Sequence, residues 1–262
     1  MYKQGDKNKS NEKSTLIDYR EYHFSKRELF IELMKGVAIL SITSYLFYGS
    51  LFITVFLSPY LYFYLRMQRE RYRVRRQKKL RDEFKEAMVS MANALYVGYS
   101  LENSLNYVKE ELERIHPSEE GLLVAELDYM IKKIKIKVPI EQLFIELAFR
   151  SGVEEIDLFA SVIVITKRNG GNLIKIIQKT VEHLSKKLQV DNEIDVLIAG
   201  KKLEKNIMCI MPYFVIMYMS LTNGNYMSGM YGNLVGFVLM SVCLLLVLIA
   251  YYWADSLIKI GV

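Results

Sequence analysis

The sequence predicts an all-α integral membrane protein in which a cytoplasmic, antiparallel bundle of about six helices is flanked by transmembrane helices. Two stretches carry no charged residue, Gly36–Leu65 with 30 residues and Asn206–Ala254 with 49, and a helix needs about 20 apolar residues to cross a bilayer. A strongly basic block, Arg66–Arg81, directly follows the first of them, with nine basic residues and one acidic residue. From there to Lys205, apolar residues recur at helical spacing.

Residues 1–35 predict a polar tail and an interfacial helix. The first 15 residues contain few apolar side chains, which is typical of disordered tails. From Leu16 to Lys35, apolar and charged residues mix, which is typical of a helix that lies at the membrane surface. The apolar residues at helical spacing here are Leu29, Phe30, Leu33 and Met34.

Segment 36–65 has two interpretations. It is too long for one upright helix and short for two full crossings, and Tyr48-Gly49-Ser50 lies at its centre as a possible turn. A helical hairpin keeps the N-terminus in the cytoplasm, whereas a single tilted helix places it outside. The basic residues before Gly36 favour the hairpin.

The basic block orients the rest of the chain. Because basic residues next to membrane helices are retained on the cytoplasmic side, residues 66–205 are expected in the cytoplasm. The later uncharged stretch predicts two transmembrane helices, Ile207–Leu221 and Leu234–Ala254, joined by an external loop without a cation. The tail, 255–262, then returns to the cytoplasm.

Helix-breaking residues divide the middle of the chain into six helices. Gly98 is suited to a C-cap and Ser100 to the next N-cap, and Ser118-Glu119-Glu120 predicts the start of the third helix. Pro139 is expected at the first position of the fourth helix. The turn Gly170-Gly171-Asn172 precedes the sixth, which is expected to run on toward Lys205. The apolar stripe of the sixth comprises Leu173, Ile176, Ile177, Val181, Leu184 and Leu188.

The sequence indicates no catalytic or metal site. Its only Gly-Lys pair, Gly200-Lys201, is followed by Lys202 where a phosphate-binding loop requires Ser or Thr. The three histidines lack ligand partners at metal spacing. Acidic pairs such as Glu154-Glu155 fall at helix starts, where they compensate the helix dipole. We therefore expect a protein that is not an enzyme and has no cofactor and no metal.

Three motifs resemble the F-domain of type II secretion and type IV pilus platform proteins, in the short single-domain form of the tight adherence (Tad) systems. They are ALYVGYSLENSL (Ala94–Leu105), KVPIEQL (Lys137–Leu143) and RSGVEEIDLFASVIVITKRNGGNLIKII (Arg150–Ile177). The resemblance extends from Phe84 to about Val262, and its most specific part is Arg168-Asn169-Gly170-Gly171-Asn172-Leu173. The chain departs from many relatives in having no proline in the external loop.

The resemblance implies a non-enzymatic platform in the inner membrane. Such proteins sit above a hexameric cytoplasmic secretion ATPase, pair with a second F-domain platform protein and pass the movement of the ATPase to prepilin subunits. A homo- or hetero-oligomer in the lipid bilayer is therefore expected. The candidate contact or hinge residues are Arg71, Arg73, Arg75, Arg76, Gly98, Gly170, Gly171 and Asn172.

Two functions of other classes remain as alternatives. A small membrane transporter or channel is disfavoured, because the uncharged stretches lack the ionisable residues expected along an ion path. A membrane-tethered nucleic-acid-binding module would use the basic block. The position of that block beside an apolar segment favours topology and lipid contact instead, so no nucleic-acid partner is expected.

Overall fold

The computed structural model describes residues 17–56, 58–115, 121–169, 173–222, 224–231 and 233–260. Within these residues every regular element is a helix and there is no strand, which confirms the prediction of an all-α fold. The helices are α1 Lys26–Tyr48, α2 Ile53–Phe56, α3 Ser58–Val97, α4 Leu101–Ile115, α5 Leu122–Lys135, α6 Ile140–Ser151, α7 Glu154–Asn169, α8 Leu173–Thr222, α9 Gly224–Tyr231 and α10 Leu234–Ile260.

The chain forms two compact units. The first, here called the core unit, comprises Met1–His23 and Arg69–Leu188, and the second, the apolar unit, comprises Phe24–Gln68 and Gln189–Val262. Helices α3 and α8 each contribute residues to both units.

The core unit is built on one hydrophobic core to which α3–α8 all contribute. Phe159 of α7 packs edge-on against Phe84 of α3 and Phe144 of α6, with ring centroids 5.6 and 5.3 Å apart. Such edge-to-face pairs each add about 1 kcal/mol beyond the area that they bury. The expected stripe of α8 is buried at Ile177, Val181, Leu184 and Leu188. Ile176 is instead exposed, because it lies one position off that face.

The caps between α3 and α4 are those predicted. Gly98 has a φ of 102°, which a residue with a side chain rarely adopts. Its N–H bonds to the Leu95 carbonyl and that of Tyr99 to the Ala94 carbonyl, the two bonds of a Schellman motif. The Ser100 hydroxyl accepts from the Asn103 N–H at 3.2 Å and so caps α4.

Two other helix starts differ from expectation. Pro139 is the N-cap of α6 and not its first helical residue, because its ψ of 134° is extended. Helix α5 begins at Leu122, and the predicted start at 118–120 lies outside the described residues. A side chain of α3 caps the N-terminus of α5. The buried Glu83 carboxylate accepts a hydrogen bond from the Leu123 N–H at 2.7 Å. A carboxylate here compensates the helix dipole.

The predicted interfacial helix over 16–35 is wrong in its first half. Residues 17–25 are not helical, and α1 begins at Lys26. The start of α1 is set locally, because the Glu28 carboxylate accepts from the Ser25 N–H at 2.9 Å, one half of a capping box. Residues 17–23 instead pack on the core unit.

In the apolar unit, α1 and the beginning of α3 lie side by side as the arms of a helical hairpin. The turn is at Gly49, which has a φ of 65° and caps α1. A side chain at Gly36 would collide with Leu61, so this glycine lets the two arms approach closely. Farther from the turn, the Tyr64 hydroxyl donates to the buried Glu32 carboxylate at 3.2 Å.

The end of α8 packs with α10. Lys205 donates to the Asp255 carboxylate at 2.8 Å and lies over the Tyr251 ring, with its Nζ 4.8 Å from the ring centroid. A second hydrophobic cluster contains Phe47, Met227, Met240 and Leu244. These contacts join α1, α8, α9 and α10 within the apolar unit.

Two helices among the described residues are long and apolar enough to cross a membrane, by length and composition alone. They span Lys26–Tyr48 and Leu234–Ser256. Only 17% of the apolar window in the second is buried, whereas the core helix of a soluble protein is mostly buried. The second arm of the expected hairpin, which is helical over 53–56 and 58–65, is not among them, and neither is the expected crossing 207–221, which is also helical.

Candidate partner-contact site

The four candidate arginines of α3 do not form one surface. Arg71 and Arg75, one helical turn apart, are both exposed. Arg73 is half-buried and pairs with Glu70 on its own helix. Arg76 is half-buried and points inward, with its guanidinium 5.1 Å from the centroid of the Tyr19 ring. Only the first two therefore present their charge outward.

Arg76 contacts a segment whose role the sequence analysis missed. Residues Ile17–His23, here called the strap, are not helical, bend at Tyr19 and Arg20, and lie against α3 and the end of α6. At the α3 side, Tyr22 stacks on Tyr72 with ring centroids 5.4 Å apart, and Arg69 donates to the Tyr22 carbonyl. The basic block thus holds part of the chain itself.

Tyr19 is the anchor of the strap. Its side chain is only 1% exposed and belongs to the hydrophobic core. Its hydroxyl donates to Glu126 Oε1 at 3.2 Å, and its N–H donates to the Arg150 carbonyl at 3.0 Å. The buried phenol therefore has a partner for its one polar group, as buried tyrosines require.

Below Tyr19, Glu126 of α5 and Arg150 of α6 form a buried ion pair. Arg150 Nη1 and Nη2 donate to the two carboxylate oxygens at 2.9 and 2.6 Å. Burial opposes the charge on Arg150, but the Glu126 carboxylate more than offsets this, and the pKa of Arg150 is raised. Arg150 also donates to the Ile17 carbonyl at 3.1 Å. One guanidinium thus joins α5, α6 and the strap.

On the α6 side, the strap is covered less completely. The Arg20 guanidinium lies 4.2 Å from the centroid of the exposed Phe149 ring. Below it, Gln77 of α3 donates to the Ser151 carbonyl at 2.8 Å. This second contact holds α3 against the end of α6 without using the strap.

We expect the strap to loosen above about pH 10. Burial, reinforced by the Glu126 carboxylate, raises the pKa of Tyr19 above its ordinary 10.0. A group whose pKa is raised on folding contributes stability that is complete below its unfolded pKa and is lost as the pH rises through its folded pKa. Thermal unfolding at stepped pH should therefore show the wild type losing stability faster than Tyr19→Phe from about pH 10 upward.

The Tyr19→Phe variant is the control for this comparison, since it keeps the ring and every other titrating group. Parallel stability curves for the two proteins over the alkaline range would contradict the burial of Tyr19.

The glycine candidates lie elsewhere. Gly98 ends α3, about 30 Å along the helix from Arg76 at 1.5 Å per residue, and a side chain there would meet no atom within 4 Å. The turn carries exposed Tyr96, Val97 and Tyr99. Gly170, Gly171 and Asn172 lie outside the described residues.

The acidic pair at the start of α7 has a partner. Glu154 and Glu155 both pair with Lys187 of α8, at 3.1 and 3.3 Å, and the Glu154 carboxylate is the main cause of the raised pKa of Lys187. These contacts tie α7 to α8, as a structural role requires. Across the part of the chain that the structure describes, no group of three His, Cys, Asp or Glu residues is placed to hold a metal ion.

Comparison of the chain with protein-family models, with curated proteins and with solved structures finds no match.

Proposed function

We propose that this protein is a multi-pass platform of the inner membrane in a Tad, type IV pilus or type II secretion-like machine. In this function it couples a cytoplasmic secretion ATPase to pilin assembly or protein export. The observation that carries the proposal is that α3 and α8 are single helices with residues in both units. A displacement of the core unit is then passed on through a continuous backbone and not through a flexible loop.

The apolar unit supports insertion in the bilayer. Helix α1 and Leu234–Ser256 have the length and composition of spans, and the apolar side chains at the end of α8 are exposed, among them Ile207, Met211 and Phe214. Exposure of these side chains to water would cost free energy, about 2 kcal/mol for each apolar side chain relative to its burial. Contact with the lipid tails of a bilayer would remove this cost.

The strap supports the hairpin topology. Residues 17–23 and 69–188 belong to one compact unit. The two ends of the segment between them therefore lie on the same side of any membrane that it enters. Segment 24–68 then crosses an even number of times, and the close arms at Gly36 and Leu61 fit one hairpin. The basic block favours the cytoplasm as that shared side.

In this assignment the core unit is the cytoplasmic domain, and the protein performs no chemistry of its own. The ATPase supplies the work, a second F-domain platform protein is the partner in the membrane, and prepilins are the cargo. Arg71 and Arg75 are exposed and are the residues that we expect to contact an acidic surface of the ATPase.

The experiment is a deletion combined with affinity capture in the cell that carries this gene. Deletion should stop filament assembly while prepilin accumulates in the membrane. The tagged full chain, solubilised from the membrane fraction, should retain the secretion ATPase and the second platform protein, since both are held by direct contact.

Restoring the intact gene is the control for the deletion. Filaments that assemble at normal levels without the protein would refute the function, and a chain found in the soluble fraction would refute the topology. Nucleotide hydrolysis by the purified chain alone would refute the non-enzymatic role.

A further inference from the structure

We propose that the core unit contains a peptide-binding groove, and that the strap is its resident but exchangeable ligand. The ligand class is a short non-helical segment in which an aliphatic residue and a tyrosine are separated by one polar residue, as in Ile17-Asp18-Tyr19. This inference concerns the core unit alone and does not depend on the proposed function.

The strap has the burial pattern of a bound peptide. Tyr19 is fully buried and Ile17 and Tyr22 are half-buried, whereas Asp18, Arg20, Glu21 and His23 are exposed. One aromatic anchor in a pocket, with exposed residues around it, is typical of peptide ligands.

The groove recognises main-chain groups through fixed side chains. Arg150 and Arg69 donate to the carbonyls of Ile17 and Tyr22, and the Arg150 carbonyl accepts from the Tyr19 N–H. These three bonds are made to the backbone of the strap and do not depend on the side chains of the ligand. Specificity for tyrosine comes from its hydroxyl, which donates a hydrogen bond to the Glu126 carboxylate at the bottom of the groove.

The floor of the groove does not need the strap in order to exist. The bidentate Glu126–Arg150 pair and the bond from Gln77 to Ser151 connect only α3, α5 and α6. A groove whose polar groups already pair with one another stays formed when its ligand leaves, so release of the strap is a local opening and not unfolding of the core unit.

The attachment of the strap favours rebinding over loss. The strap and the groove belong to one chain and to the same unit, and a ligand tethered to the chain that holds its site has an effective concentration that reaches the millimolar range. If the free peptide binds with a Kd of about 50 μM, the tethered strap leaves the groove open for about 5% of the time. A competing segment can enter during these openings.

The binding test uses the full chain in detergent and a fluorescein-labelled peptide of residues 17–23. We expect the Tyr19→Ala chain to bind the wild-type peptide at least about tenfold more tightly than the wild-type chain does, because its own strap competes poorly. Replacing the tyrosine in the peptide by phenylalanine should weaken binding by about tenfold, the contribution of a hydrogen bond to a charged group. A peptide with alanine there should show no saturable binding.

Three outcomes of this test overturn the proposal: no binding to a Tyr19→Ala chain that keeps its helical circular dichroism, equal binding by the tyrosine and alanine peptides, or equal affinity of the two chains for the peptide. Hydrogen exchange on the wild-type full chain decides the matter if the variant does not fold. The Tyr19 amide should exchange at least about a hundredfold faster than that of Phe159. Equal rates would show that the strap opens only on global unfolding.

Discussion

Reversal of charge at Arg71 and Arg75 is expected to abolish filament assembly without unfolding the protein. Both side chains are exposed and lie on one face of α3, and neither belongs to the hydrophobic core, so we expect the double change to Glu to leave that core intact. The double change alters the charge of this face by four units, from +2 to −2. An acidic surface that docks there would then meet like charge, and like-charge contacts in an interface cost several kcal/mol. Extracellular pilin and capture of the ATPase measure the result.

The matched control is Lys175→Glu with Lys179→Glu, which reverses two exposed cations one turn apart on α8. Assembly should continue in this variant. Normal assembly in the arginine variant, or equal loss in both, would rule out the α3 face as the contact. Arg76 is unsuitable for this test, because it lies over Tyr19 and its loss would disturb the strap.

The second large effect is expected from Arg150→Met, which should lower the free energy of unfolding by about 3–5 kcal/mol. The substitution leaves the Glu126 carboxylate buried without its bidentate partner, at 4% side-chain exposure. It also removes the bond to the Ile17 carbonyl. Denaturant unfolding of the detergent-solubilised chain, followed by circular dichroism, measures the change.

The double variant Glu126→Gln with Arg150→Met should recover part of this loss, because no uncompensated charge then remains buried. The surface control is Lys186→Ala, which breaks the exposed pair with Glu182 and should cost less than about 0.5 kcal/mol. Equal effects of Arg150→Met and Lys186→Ala would mean that the Glu126–Arg150 pair is not buried in solution.

Local signals predicted the order of the helices in the core unit, although not the starts of α5 and α6. The four-three-four spacing of Phe84, Met88, Met91 and Leu95 predicted one buried face of α3, and all four are buried. Gly98 and Ser100 ended and began helices where predicted, because capping depends on residues only a few positions apart. Burial along α8 was predicted less well, as Ile176 shows.

The candidate site was predicted less well, because it depends on contacts between distant residues. Arg76 was grouped with Arg71 and Arg75 by charge alone, and only its contact with Tyr19, 57 positions earlier, separates it from them. Two weak signals were present. Ile17 and Tyr19 alternate with charged residues, which is not the spacing of an amphipathic helix, and Glu126 falls within the apolar stripe of α5, where a charge needs a partner.

The cap of α1 limits how the sidedness of this chain can be mapped with inserted tags. The Tyr231 ring covers Gly49, and its hydroxyl donates to the Leu46 carbonyl at 2.6 Å. An epitope inserted in α9 would therefore disrupt the contacts of Tyr231 with the end of α1, and its accessibility would report on a perturbed structure. A cysteine in place of the exposed Phe52 leaves the contacts of Tyr231 unchanged, so thiol labelling at this position perturbs the structure less than an inserted epitope.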